Sequence, residues 1–185
     1  MPAPVRSWRR ILPLLGVLAV VAYAAWFIYD KERIISRGEL VLFELAPVDP
    51  RSLLQGDYMR LSYRIDDELT HLEVPPNGYL VFVTDDAGVA RFRRLQLQRT
   101  PLKSEERLIQ FRRRRAGSMR NGMVKLAADS YFFQEGTSER FERARYGGLM
   151  IDDRGQAVLM GLWDEDRQPI PQSPPPTDQY RDSGQ

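Results

Sequence analysis

The fold class predicted by the sequence is mainly β: one N-terminal transmembrane helix, then a single antiparallel β-barrel or sandwich-like domain with a short helix. Three observations predict it. Ile11 to Tyr29 is an uncharged apolar run. Beyond it, apolar and polar residues alternate in short runs bounded by Gly, Pro, Asn and Asp, and helical periodicity is scarce. From Pro169 onward, proline with Gln, Ser and Asp leaves too little apolar surface for the chain to order itself.

Taken in order, residues 1–10 are a basic segment with Arg6, Arg9 and Arg10. Residues 11–29 follow as the anchor, about 28 Å long at ~1.5 Å per residue and so close to the ~30 Å hydrocarbon core. Trp8 at one end, and Trp26 and Tyr29 at the other, sit where interfacial aromatics belong. Pro13 falls in the first turn of the apolar run, where it is tolerated. Ala22-Tyr23-Ala24 resembles a signal-peptide cleavage site, but the run continues through Ala25-Trp26-Phe27-Ile28, which favours an uncleaved signal-anchor. The arginines and the short N-terminus favour an N-inside orientation in the inner (cytoplasmic) membrane, against Lys31, Arg33 and Arg37 on the other flank. Residues beyond the span would then be periplasmic. The absence of cysteine fits either compartment.

Residues 30–37 read as a linker and residues 38–168 as one domain, long enough for a real core. Its candidate strands are Glu39–Leu45, Tyr58–Ile65, Tyr79–Thr84, Val89–Leu97, Arg107–Arg113, Met123–Ala127, Gly148–Ile151 and Gln156–Leu162. Two junctions repeat Asp-Asp-x-Gly, at Asp85–Gly88 and Asp152–Gly155. That is hairpin chemistry, with glycine supplying positive φ, and both lack the alternating oxygen ligands of a calcium loop. Pro75-Pro76-Asn77-Gly78 is a turn by composition. Thr137 or Ser138 can cap a short helix through Arg145. Residues 169–185 are the Pro-rich tail.

The chain is organised around Gly56-Asp57-Tyr58-Met59-Arg60-Leu61-Ser62-Tyr63. Asp49 as N-cap, Pro50 at the first helical position and Gly56 as a left-handed stop predict a short helical turn over 50–55. After Gly56 the period becomes two: Met59, Leu61, Tyr63 and Ile65 face the core, and Tyr58, Arg60, Ser62 and Arg64 face away. Asp57, just past the turn, can bond to nearby backbone N–H groups. Gly56, Asp57, Tyr58, Leu61 and Tyr63 are thus a structural motif, of which Asp57 and Tyr58 could be presented to a partner.

This stretch matches every fixed position of the signature GDYXXLXY, and the chain resembles the family named after it. Tyr131-Phe132-Phe133-Gln134-Glu135-Gly136, with Glu142 beyond, is similar to that family's Tyr-Phe-x-Pro-Glu-Gly…Glu segment, with Gln134 in place of proline. The resemblance spans roughly residues 40–165. It implies a membrane-anchored protein, often encoded beside polytopic membrane proteins, and it implies no chemistry.

Charge is asymmetric behind an overall +2. Arg91 to Lys125 holds twelve Lys/Arg against two Glu, a net of +10, while Ala127 to the end is −5. Arg112, Arg113, Arg114 and Arg115 are the peak. They read as a solvated hairpin tip, or as a contact for anionic lipid headgroups or an acidic partner surface. Aromatics are not interleaved as a nucleic-acid stacking platform requires.

Catalytic candidates are sparse. His71 is the single histidine and reads as an exposed loop residue; with no cysteine, a zinc site with two or more His/Cys ligands is impossible. Glu135 and Glu142 could form a carboxylate pair, but a turn at Glu135-Gly136 and an arginine partner for Glu142 are the simpler reading. A serine–lysine peptidase similar to bacterial signal peptidases is the enzyme alternative. Ser36 lies near the membrane but is followed by Arg-Gly-Glu, and Lys103 and Lys125 have no recognisable setting. The expectation is therefore a non-catalytic binding or assembly subunit, without cofactor or metal, accessory to a polytopic membrane protein.

Overall fold

The computed structural model describes residues 8–46, 58–69, 72–114, 123–128, 130–134 and 137–172. Its first element, α1 (Trp8–Arg37), is a helix of 30 residues. The apolar run fills most of its length, and the segment Leu12–Arg37 is long and apolar enough to cross a membrane, with none of its apolar window buried in the protein. The helix starts ahead of the apolar run, so Pro13 lies inside it rather than in its first turn, leaving the Arg9 carbonyl without its helical donor.

The linker expected over 30–37 is a continuation of α1. Ile34 is fully buried, and the Gly38 N–H closes the helix on the Ile34 carbonyl at 2.8 Å. A Cβ at Gly38 would overlap that carbonyl and Met150, so only glycine lets the chain leave the helix this close to the sheet. At the other end of the same segment Arg154 Nη2 donates to Asp30 Oδ1 at 3.1 Å.

Among the described residues nine strands follow: β1 (Glu39–Glu44), β2 (Tyr58–Arg60), β3 (Asn77–Thr84), β4 (Ala90–Gln96), β5 (Glu106–Arg114), β6 (Met123–Lys125), β7 (Ser130–Phe132), β8 (Tyr146–Ile151) and β9 (Ala157–Trp163), with a short helix α2 (Ile65–Leu69) after β2. All named pairs are antiparallel and form three sheets, ordered β1-β8-β9, β2-β7 and β4-β3-β5-β6. They do not close into a barrel; the arrangement is sandwich-like. Phe43 of β1 meets Phe82 of β3 edge-on, ring centroids 5.3 Å apart, and one cluster joins Val41, Phe43, Leu149 and Leu162 to Leu80, Phe82, Ile109 and Phe111.

The run Leu80-Val81-Phe82 is buried throughout. Its alternate faces meet different cover: Leu80 and Phe82 join that cluster, and Val81 lies opposite Leu108, against which the β8–β9 turn presses at Gly155. A strand covered on both faces loses the polar half of its alternation.

Three expectations need correction. The strand placed over Tyr58–Ile65 ends at Arg60; Tyr63 keeps one bridge to Leu45, and Ile65 opens α2. Asp66, Asp67 and Glu68 suit the positive end of a helix, and Ile65 and Leu69 bury an i,i+4 pair, signals that the alternation through Ile65 concealed. The helix expected up to Arg145 is one 3₁₀ turn, Ser138–Phe141, and Thr137 does not cap it: its hydroxyl donates backward to the Gln134 carbonyl at 2.6 Å. The tail does not begin at Pro169, since Pro169 bridges Trp163 and Ile170 is buried, its N–H donating to the Leu162 carbonyl. The predicted helical turn over 50–55 and the remaining tail lie outside the described residues.

Candidate functional site where the two motif segments meet

β2 comes from the Gly-Asp-Tyr stretch and β7 from the Tyr-Phe-Phe stretch, far apart in sequence. They pair antiparallel, with Tyr58 opposite Phe132, Met59 opposite Tyr131 and Arg60 opposite Ser130. One face of this two-stranded ribbon is core: Met59 and Tyr131 are buried, and Tyr131 and Phe133 both pack on Phe141, at 5.3 Å edge-on and 5.1 Å stacked. Leu61 and Tyr63 continue that face, Tyr63 edge-on to Phe43 at 6.2 Å. The alternation read over Met59–Arg64 therefore holds residue by residue even though the regular strand does not.

The other face carries Tyr58 and Phe132. Their rings lie 5.8 Å apart, tilted by 40°, and Phe132 is 69% exposed. An aromatic pair held at the surface by cross-strand register has its shape set in advance, and its apolar area is what a partner surface would cover. Gly56 and Asp57 enter β2, and Glu135 leaves the β7 segment, outside the described residues. Sequence reading named Tyr58 as presented but missed β7, and with it Phe132. The signal available was Ser130-Tyr131-Phe132-Phe133, too short and too continuously aromatic to show a period.

The basic cluster divides. Arg112 and Arg113 are not at a hairpin tip; they belong to β5 and point to opposite faces. Arg113 is half-buried and donates to the Val74 carbonyl at 2.7 Å, a packing role. Arg112 is exposed, opposite Lys125 of β6. The Arg114 side chain and Arg115 lie outside the described residues. Upstream, Arg94 clamps Glu106 with bonds of 2.6 and 2.8 Å, and the Lys103 N–H adds a third at 3.0 Å. Those hydrogen bonds, Arg94's foremost, hold the Glu106 carboxyl down at about 2. Asp66, which accepts from the Val124 N–H at 2.9 Å, is pushed above the usual carboxylate range chiefly by burial.

Among the described residues, the catalytic candidates Ser36, Lys103, Lys125 and Glu142 lie on separate elements. Ser36 is exposed on α1 and its hydroxyl donates to the Arg33 carbonyl of the same helix. Lys103 lies in the β4–β5 loop and Lys125 on β6. Glu142 is exposed and, among the described residues, has no ion pair, so the arginine partner expected for it is not there. His71 and Glu135 lie outside the described residues. No group of three or more His, Asp or Glu side chains is placed to hold a metal ion, again among the described residues.

An apolar N-terminal helix running into a sandwich-like domain, with two aromatic motif segments joined at its surface, defines a helix-tethered β protein. The chain belongs to the GDYXXLXY protein family, whose model matches residues 20–162. No curated protein and no solved structure matches it.

Proposed function

We infer that this chain is a membrane-anchored, non-catalytic binding or assembly subunit, accessory to a polytopic membrane protein. The observation that carries this reading is the surface Tyr58–Phe132 pair, with Phe132 exposed and Tyr58 half-buried, built by both family motifs on a domain fastened directly to an apolar helix. The apolar surface of α1 is left uncovered by the described residues, so lipid and a neighbouring helix can both cover it. The anchor lies in the inner membrane with the domain on the outer, periplasmic side, supported by the arginines that precede the span.

The test is purification from native membranes in mild detergent, with mass spectrometry of what stays bound at near-stoichiometric yield. A polytopic partner is expected with the unaltered chain, and its yield is expected to fall at least about tenfold when Tyr58→Ala and Phe132→Ala are combined, the loss typical of a buried aromatic anchor. Retention of the partner by a folded double variant sinks the assignment of this face. A lone protein from native membranes sinks the subunit reading itself.

A further inference from the structure

We propose that the basic end of the four-stranded sheet, at Arg99, Arg112 and Lys125, docks on anionic phospholipid headgroups beside α1 and holds the domain against the bilayer. The inference rests on α1 being a membrane span and is independent of any protein partner.

The path of the chain supplies the orientation. Asp30 is the first charged residue after the apolar run and marks the edge of the hydrocarbon. From there α1 leads away from the bilayer to Gly38, about 12 Å at ~1.5 Å per residue. Glu39 forms an ion pair with Arg107 Nη2 at 2.6 Å, so β5 begins at the far end of that stalk. By Gln110 the strand has come level with the β8–β9 turn: its N–H donates to the Gly155 carbonyl at 2.7 Å and its Nε2 to the Arg154 carbonyl at 3.1 Å. Arg154 in turn reaches Asp30. β5 is therefore running back toward the bilayer, and at ~3.3 Å per residue Arg112 lies about 7 Å beyond Gln110 in that direction.

Antiparallel pairing brings other cations to the same end. Lys125 is directly opposite Arg112. β4 finishes here, since Gln96 is opposite Tyr79, and Tyr79 is opposite Gln110. Arg99, just past β4, donates to the Asp153 carbonyl at 2.9 Å, in the turn that carries Arg154. The opposite end of the sheet carries Asp85 and Asp86. Arg91 and Arg107 at that end are ion-paired, to Asp85 and Glu39, so the sheet's surplus of positive charge lies at the end with Arg99 and Arg112, toward the membrane.

A cavity of about 580 Å³ opens at the basic end, lined by Tyr79, Leu97, Gln110, Arg112, Lys125 and Leu126 among others. Arg112 is exposed and, among the described residues, has no ion pair, which leaves its guanidinium available to phosphate oxygens. Leu97 is 70% exposed at the rim and supplies apolar surface for the first part of an acyl chain.

The test uses the full chain in nanodiscs of phosphatidylcholine, with or without phosphatidylglycerol. The sequence has no cysteine, so single sites at Gln98→Cys and Asp86→Cys take a donor dye, with an acceptor on a trace lipid headgroup. Energy transfer is expected to be stronger from position 98 than from 86, to rise with phosphatidylglycerol, and to fall with added salt. Arg112→Glu is expected to weaken the response to phosphatidylglycerol by on the order of tenfold. Inorganic phosphate in phosphatidylcholine discs is expected to change nothing. Equal or stronger transfer from position 86 overturns the orientation, and no response to phosphatidylglycerol overturns headgroup docking. A response reproduced by inorganic phosphate overturns the lipid assignment in favour of a free-anion site. Failure of the chain to enter the discs overturns the span itself, which separates that failure from the failure of docking.

Discussion

At the residue scale, three turns share one device. Asp85 Oδ1 accepts from the Ala87 and Val89 N–H groups, Asp152 Oδ1 from Arg154 and Gln156, and Asp164 Oδ1 from Asp166 and Gln168. In the first two the fourth residue is glycine, with φ of 77° at Gly88 and 78° at Gly155; in the third it is Arg167, at 58°. Only the first two are visible as Asp-Asp-x-Gly. A side chain in the left-handed region is disfavoured, so Arg167→Gly is expected to stabilise the domain by about 0.5 kcal/mol. Gly88→Ala, into open space but with the same φ, is expected to cost about 1 kcal/mol. Denaturant unfolding of the two variants measures both signs, and equal effects would refute the backbone account.

Glu106 makes a second prediction at this scale. Its carboxyl sits at about 2 in the folded chain against an ordinary 4.5. A lowered folded value contributes stability that is complete above the ordinary value and is lost as pH falls from there toward about 2. Asp66 is shifted the other way, so its protonation favours the folded state as pH drops. Melting temperature followed from pH 6 down to about 2 should therefore fall less steeply in Glu106→Gln than in the unaltered chain. Parallel curves would show that the Arg94 clamp contributes nothing to the pH dependence.

At the element scale, the β2–β7 ribbon separates structure from presentation. Tyr131 and Phe132 are adjacent, yet one is 6% and the other 69% exposed. Tyr131→Ala removes a ring packed on Phe141 and is expected to cost about 3 kcal/mol or more, while Phe132→Ala is expected to cost under ~1 kcal/mol. Comparable losses would mean that the outer pair is part of the core. The β8–β9 pair has a different device. Trp163 lies across Gly148, where any Cβ would overlap its ring. Gly148→Ala must displace the indole and is expected to cost about 1–3 kcal/mol, with a shift in tryptophan fluorescence as the readout.

At the scale of the whole molecule, one buried side chain and one ion pair, among the described residues, join the helix to the domain. Ile34 is fully buried, and Arg154 bonds both Asp152 and Asp30, at 2.7 and 3.1 Å. Ile34→Ala is expected to loosen the junction by about 2–4 kcal/mol, whereas the half-exposed Arg154–Asp30 pair contributes about 0–1 kcal/mol. Hydrogen exchange over residues 30–37 in the reconstituted chain should rise sharply with Ile34→Ala and slightly with Arg154→Ala. A flexible linker would give fast exchange in the unaltered chain. With α1 as the proposed membrane span, this junction would hold the domain at a fixed height and rotation above the bilayer.

The sequence by itself determined the apolar helix, the family, the mainly β character and the inward and outward faces of Met59–Arg64, since local period and turn chemistry carry all of these. It also placed most strand centres, with ends displaced by a residue or two. Only the tertiary structure decided what depends on pairing across the chain. Tyr58 gains an aromatic neighbour because β2 meets β7. The presumed linker stays helical because Ile34 finds a pocket against the sheet. Arg112 and Arg113 divide into surface and packing roles because Val74 offers one of them a carbonyl. Burial and cross-strand register are properties of partners distant in sequence, and no local window contains both members of such a pair.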